Sequence, residues 1–253
     1  MNLTYTIHDF WRQVRAFENM FFIAILPAAL FIMFGVTQGW SDESSGHGNV
    51  SAYLMVSMAA YGAVTATTSI AGSAAVERMQ GWGRQLAMTP MGTGGYAATK
   101  VIVAMTVAVV PVIIVYLAGV LTNSVMDDVW RWFATAGIVI ACSVVFALYG
   151  LAAGLLFRSD GAVSAATGLL VVLAFLGNVF MPLSGSLLDF ARFTPLYGIV
   201  GLARYPITEG WVVSVDGAAE QDSVWMLLAN VGVWAVIFAA VALFAARKAT
   251  ARK

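Results

Sequence analysis

The sequence predicts an all-α integral membrane protein with six transmembrane helices, and three observations carry that prediction. The first is composition: 60% of the 253 residues are apolar and 10% charged, against about 45–50% and about 25% in a soluble domain. The second is distribution. Every Lys, Arg, Asp and Glu falls outside six windows, 19–41, 44–76, 101–126, 132–157, 161–188 and 223–246, each of 23 residues or more. A helix of about 20 apolar residues already spans a bilayer. The third is texture, since the windows are continuously apolar, whereas spanning strands would alternate. A single transmembrane domain over 1–253 follows, with spans near 20–38, 52–76, 100–122, 132–157, 162–181 and 224–246.

Lys and Arg set the orientation. With the N-terminus in the cytoplasm, Arg12, Arg15, Arg78, Arg84, Lys100, Arg158, Arg247, Lys248, Arg252 and Lys253 lie inside, and Arg131, Arg192 and Arg204 outside. A multi-pass protein of the plasma membrane with both termini cytoplasmic is therefore expected.

Before the first span, Ile7, Phe10, Trp11, Val14 and Phe17 recur at helical spacing, with His8, Asp9, Arg12, Gln13 and Arg15 between them. This predicts an amphipathic helix over 5–18 lying in the membrane surface, not a cleaved signal peptide. Pro27 is expected to bend the first span. The second is the least apolar, with Tyr61, Thr65, Thr67, Thr68, Ser69 and Ser73. Hydroxyls at that density suit a face turned to other helices or to a polar cavity.

Glu77–Pro90, read as ERMQGWGRQLAMTP, is a charged island between two apolar runs. It reads as a surface helix, or as a solvated loop that is positive because cytoplasmic loops generally are. The third span contains Pro111. The fourth holds the only cysteine, Cys142, so no intrachain disulfide can form. It also holds Gly150 and Gly154, whose spacing permits close backbone approach, by chance in an Ala/Gly-rich chain or for a dimer. After the fifth span, residues 182–222 are too charged to span and too apolar for a free loop. Short helices dipping into the outer leaflet, broken at Pro182 and Pro195, are expected there.

No HExxH, GxSxG or GxxxxGK[ST] occurs, no aspartate or glutamate lies within a span, and His8 and His47 fall on opposite sides of the membrane. No catalytic or metal site can be assembled from these residues. Intramembrane carboxylates, the usual mark of an ion-coupled carrier, are absent. Sodium coordination by carbonyls and hydroxyls keeps a carrier or channel open as an alternative. The cavity candidates are Thr65, Thr68, Phe175, Phe180 and Met181, each of which packing alone would also explain.

The island also matches a pattern E-R-x-x-G-W-x-x-Q-L-x-x-T-P through Glu77, Arg78, Gly81, Trp82, Gln85, Leu86, Thr89 and Pro90, and a second match runs through Pro182, Thr194, Pro195, Leu196 and Arg204. On these residues the chain resembles the ABC-2 family, the membrane-spanning permease subunits of ATP-binding-cassette exporters related to daunorubicin-type drug efflux systems. The resemblance implies that 77–90 is a coupling helix gripped by a cytoplasmic ATPase subunit, present in two copies. In that reading Arg78 and Arg84 offer charge-assisted bonds, and Met79, Trp82 and Leu86 apolar anchors. It implies re-entrant helices between the last two spans and a second permease subunit, as homodimer or heterodimer. ATP and Mg are expected in the ATPase and no cofactor in this chain, which is not expected to be an enzyme or to bind nucleic acid. Efflux of an amphipathic or hydrophobic drug or antibiotic is the activity implied. Export of a lipid, peptide or glycan is the alternative within the family.

Overall fold

A computed structural model describes residues 3–77, 93–212 and 220–250. The island from Arg78 through Pro90 lies outside the described residues, as does most of the polar stretch before the last helix.

The chain starts as α1 (Leu3–Arg15), shorter and earlier than the expected 5–18. Ala16, in an extended conformation, separates it from α2 (Phe17–Val36). Two stretches of α2, Phe21–Ile25 and Ile32–Val36, are wound as wide π turns. The first of these precedes Pro27, which has no N–H for the carbonyl of Ile23, and a widened turn is one way a helix absorbs such a gap.

α3 (Val50–Glu77) is the central column, buried on nearly every side. Helices α4 (Thr93–Leu121), α5 (Val129–Phe157) and α6 (Asp160–Leu176) pack around it. Its closest neighbour is α5. Gly150 of α5 sits against the backbone of Thr68, and Gly154 against that of Gly72, so that side chains larger than hydrogen have no room in this seam. The Gly-xxx-Gly spacing thus serves packing within the chain.

Outside this core lie α7 (Gly185–Ala191), α8 (Pro195–Thr208) and α9 (Val224–Thr250), with a two-residue hairpin of β1 (Trp211–Val212) and β2 (Glu220–Gln221). Pro195 opens α8 at a position where its missing N–H costs nothing. Short helices are expected between the last two spans, and α7 and α8 occupy that stretch, α8 opening at Pro195.

Among the described residues five helices are long and apolar enough to cross a membrane: α2, α3, α4, α5 and α9. The remaining expected span, the fifth at 162–181, corresponds to α6. It has 17 residues, about 26 Å at ~1.5 Å per residue, which falls short of the ~30 Å hydrocarbon core. The apolar run continues to Met181, but the chain turns at Gly177 and Asn178, the latter with φ of 58°.

α1 also differs from a simple surface helix. Ile7 and Trp11 are exposed, while Phe10 and Val14 pack on the core. Asp9, on the expected polar face, is buried. The reason is Lys100 at the start of α4, whose ammonium meets the Asp9 carboxylate at 2.9 Å.

Candidate functional site

The hydroxyls in the later part of α3, from Tyr61 to Ser73, divide between two faces. Thr67 donates to the carbonyl of Ser143 at 2.9 Å and Thr68 to that of Phe146 at 3.3 Å, so both serve the α5 seam. Tyr61, Thr65, Ser69 and Ser73, at successive steps of four, face away from that seam into an open groove of about 540 Å³ between α2, α3 and α6. Packing and cavity lining, the two readings of this helix, are each met on one face.

Asn19 of α2 and Ser164 and Thr167 of α6 complete the polar lining, and Phe22, Leu26 and Val171 the apolar part. Thr65 and Thr167 donate to carbonyls one turn back in their own helices, at 2.7 and 2.9 Å. Their donors are thereby satisfied and their oxygens can still accept. Ser69 donates to Asn19 at 3.1 Å, linking α3 to α2. Two acids, Glu18 and Asp160, stand at one end of the groove.

Of the other cavity candidates, Phe180 is buried with its ring 4.9 Å from that of Tyr61, and Phe175 lies 5.0 Å from Phe180. These rings form an aromatic wall behind Tyr61. Met181 is half exposed and lines none of this groove.

A second constellation lies where α1, α3 and α4 meet. Lys100 pairs with Asp9 and with Glu77, both at 2.9 Å, and Arg12 pairs with Asp9 at 2.7 Å and with Glu77 at 2.8 Å. Two cations and two anions close into a square. Burial alone would lower the Arg12 guanidinium, but the Glu77 and Asp9 carboxylates push it above its usual value. Glu77, the first residue of the island and the last of α3, is held by Arg12 and Lys100. Arg78, Gly81, Trp82, Arg84, Gln85, Leu86, Thr89 and Pro90 lie outside the described residues.

Charge beyond the spans is handled in three further places. Arg204 of α8 is buried against Tyr53 and Ser57 of α3 and the carbonyls of Asn178 and Val179. Those carbonyls are left without helical partners where α6 stops, and the negative end of that helix favours a cation. Arg192 bonds to Asp189, Glu220 and Asp222, tying α7 to the hairpin. Burial would lower Arg192, and the Glu220 and Asp222 carboxylates more than reverse this. His47 lies between Asp127 at 3.2 Å and Glu209 at 3.1 Å, joining three loops at the end of the bundle away from Lys100.

Among the described residues no group of three or more His, Cys, Asp or Glu could hold a metal ion. Sequence reasoning missed the Asp9–Lys100–Glu77 pairing and the burial of Arg204. The only available signal was that each charge stood alone against an apolar stretch.

No family model matches the chain. It is similar to a Bacillus subtilis (strain 168) protein named Putative transport permease YvfS, with 22% identity over 174 residues, covering 66% of this chain and 69% of that protein.

Proposed function

We propose that this chain is a membrane transporter, and more closely the permease subunit of an ATP-driven exporter for amphipathic compounds. The observation that carries the transport reading is the groove. A line of hydroxyls on α3 faces Asn19, Ser164 and Thr167 inside an otherwise apolar bundle. Such a surface accepts hydrogen bonds from a cargo without holding it by charge, so the cargo can also leave. Glu18 and Asp160 at one end favour an amphipathic cation over an anion. The similarity to a transport permease over two thirds of the chain points the same way.

The ATPase partner and the outward direction rest on the resemblance of 77–90 to a coupling helix. The ion square gives that reading a mechanical basis. A push on a segment that starts at Glu77 would reach α1 through Arg12 and α4 through Lys100. It would also act along α3, which forms a wall of the groove. Tilting α3 against α6 would then change access to Ser69 and Ser73.

Two experiments test the two halves. Gly168 of α6 lies on the groove, and a side chain added there meets nothing within 4 Å. Gly168→Phe should therefore fold and melt as the wild type does, while transport of a cationic amphiphile in liposomes falls by about tenfold or more as the groove is filled. Undiminished transport would remove the groove from the pathway. For the coupling reading, the tagged chain should bring down an ATPase subunit from its native membrane. Arg84→Glu should then leave hydrolysis running while transport falls by about tenfold or more, the scale of one reversed charge-assisted contact. A chain that purifies alone and transports without ATP would shift the reading to an ion-coupled carrier.

A further inference from the structure

On the face of α3 opposite the groove there is a second hollow, an apolar crevice of about 390 Å³. Its walls include Ala71 and Ala75 of α3, Val101 of α4, Leu148 of α5, and Ala242 and Ala246 of α9. The volume lies within the ~300–1,000 Å³ typical of small-molecule sites. Lys100 is the one charged residue in the lining, and its ammonium is occupied by Asp9 and Glu77.

A hollow of this size left empty would forfeit the dispersion contacts that close packing provides. Elsewhere along α3 small residues meet a neighbouring backbone, as Gly72 meets Gly154. At Ala71 and Ala74 they border the crevice instead. The feature that identifies the occupant is charge. Ala239, Ala242, Leu243 and Ala246 form the stripe that α9 turns to the crevice, and Arg247 follows Leu243 by one helical turn. Arg247 and Lys248 are exposed and form no ion pair among the described residues. No acidic residue follows Asp222 in the sequence, and Glu18 and Asp160 stand at the other groove.

We infer that the crevice binds an anionic phospholipid of the leaflet at this end of the bundle. One acyl chain lies between α3, α4, α5 and α9, and the phosphate rests at Arg247, one turn beyond Leu243. The inference needs the bundle to sit in a bilayer, but it does not depend on transport or on an ATPase.

Native mass spectrometry tests it on the full chain in mild detergent, with phosphatidylglycerol or phosphatidylcholine of the same two oleoyl chains added. The wild type should retain one phosphatidylglycerol per chain, about fivefold or more in preference to phosphatidylcholine, since each basic residue near a phosphate favours anionic lipid by roughly that factor. Arg247→Glu, a surface change, should erase the preference. Ala242→Phe, which fills the crevice, should remove retention of both lipids, with thermal melting used to establish that it folds. Equal retention of the two lipids by the wild type overturns the inference, and so does a preference that survives Arg247→Glu. Because neither readout involves cargo, failure here leaves the transport reading intact, and loss of transport in Gly168→Phe leaves this one intact.

Discussion

Arg204→Met is expected to destabilise the protein by about 3 kcal/mol or more, because it leaves several buried polar groups without partners. The guanidinium reaches the Tyr53 hydroxyl at 2.7 Å, Ser57 Oγ at 2.8 Å and the carbonyls of Asn178 and Val179 at 2.9 and 3.3 Å, and it lies 3.8 Å from the Tyr53 ring centroid. Burial lowers its pKa, yet a guanidinium stays charged under any ordinary condition. Its charge is met by dipoles: two carbonyls at the end of α6, two hydroxyls and an aromatic face. Methionine fills much of the space and satisfies none of them. Arg204→Lys should recover little, since one ammonium cannot reach α3 and both carbonyls at once. Unfolding in mixed micelles, followed by helical circular dichroism, checks this. If both variants unfold within about 0.5 kcal/mol of wild type, a level usual for changes at uninvolved surface positions, Arg204 does not join α8 to α3 and α6.

Gly150→Leu should be comparably severe for the opposite reason. A β-carbon at Gly150 would stand 2.8 Å from the Thr68 Cα and closer still to the Thr68 carbonyl oxygen. The obstacle is backbone, which cannot rotate aside, so α3 and α5 would have to separate along the most extensive helix contact in the fold. Overpacking typically costs about 1–3 kcal/mol, and separation would also loosen the Thr67 and Thr68 hydrogen bonds. Gly150→Ala should give a smaller loss of the same kind. Gly137, between three and four turns earlier, faces open space, so Gly137→Ala should be neutral or slightly stabilising through helix propensity. The same unfolding assay compares them. Equal stability of Gly150→Leu and Gly137→Ala would show that the seam is not closed.

The helices were legible because charge is excluded from lipid, and most boundaries fell within a few residues of a charge. The boundary farthest from one is the end of α6. Val179, Phe180 and Met181 continue its hydropathy after the backbone has turned, and the cue that overrides hydropathy is the Gly177–Asn178 pair. The hydroxyls of α3 were legible as a group, but their division was not, since the two sets are set apart by rotation around one helix whose partners are chosen by tertiary packing. Pairing was beyond reach. Asp9 and Lys100, or Arg204 and Ser57, are far apart in the chain, and each reads alone as a span boundary or a surface charge. Of the named cavity candidates Thr65 alone lines the groove, and the α2 and α6 side of it was not legible, because Asn19, Ser164 and Thr167 are unremarkable until those helices stand beside α3.

The ion square also bears on how the protein is made. Asp9 and Lys100 are 91 residues apart (100 − 9), so α1 emerges long before its partner exists. At ~5–20 residues per second the interval is about five to eighteen seconds. During that time α1 must wait at the bilayer surface with Asp9 hydrated, held there by Ile7 and Trp11. Only when α4 has entered can Lys100 draw α1 against the bundle. The first helix synthesised is therefore among the later ones to reach its final place, and its docking reports that the α3–α4 pair has been inserted.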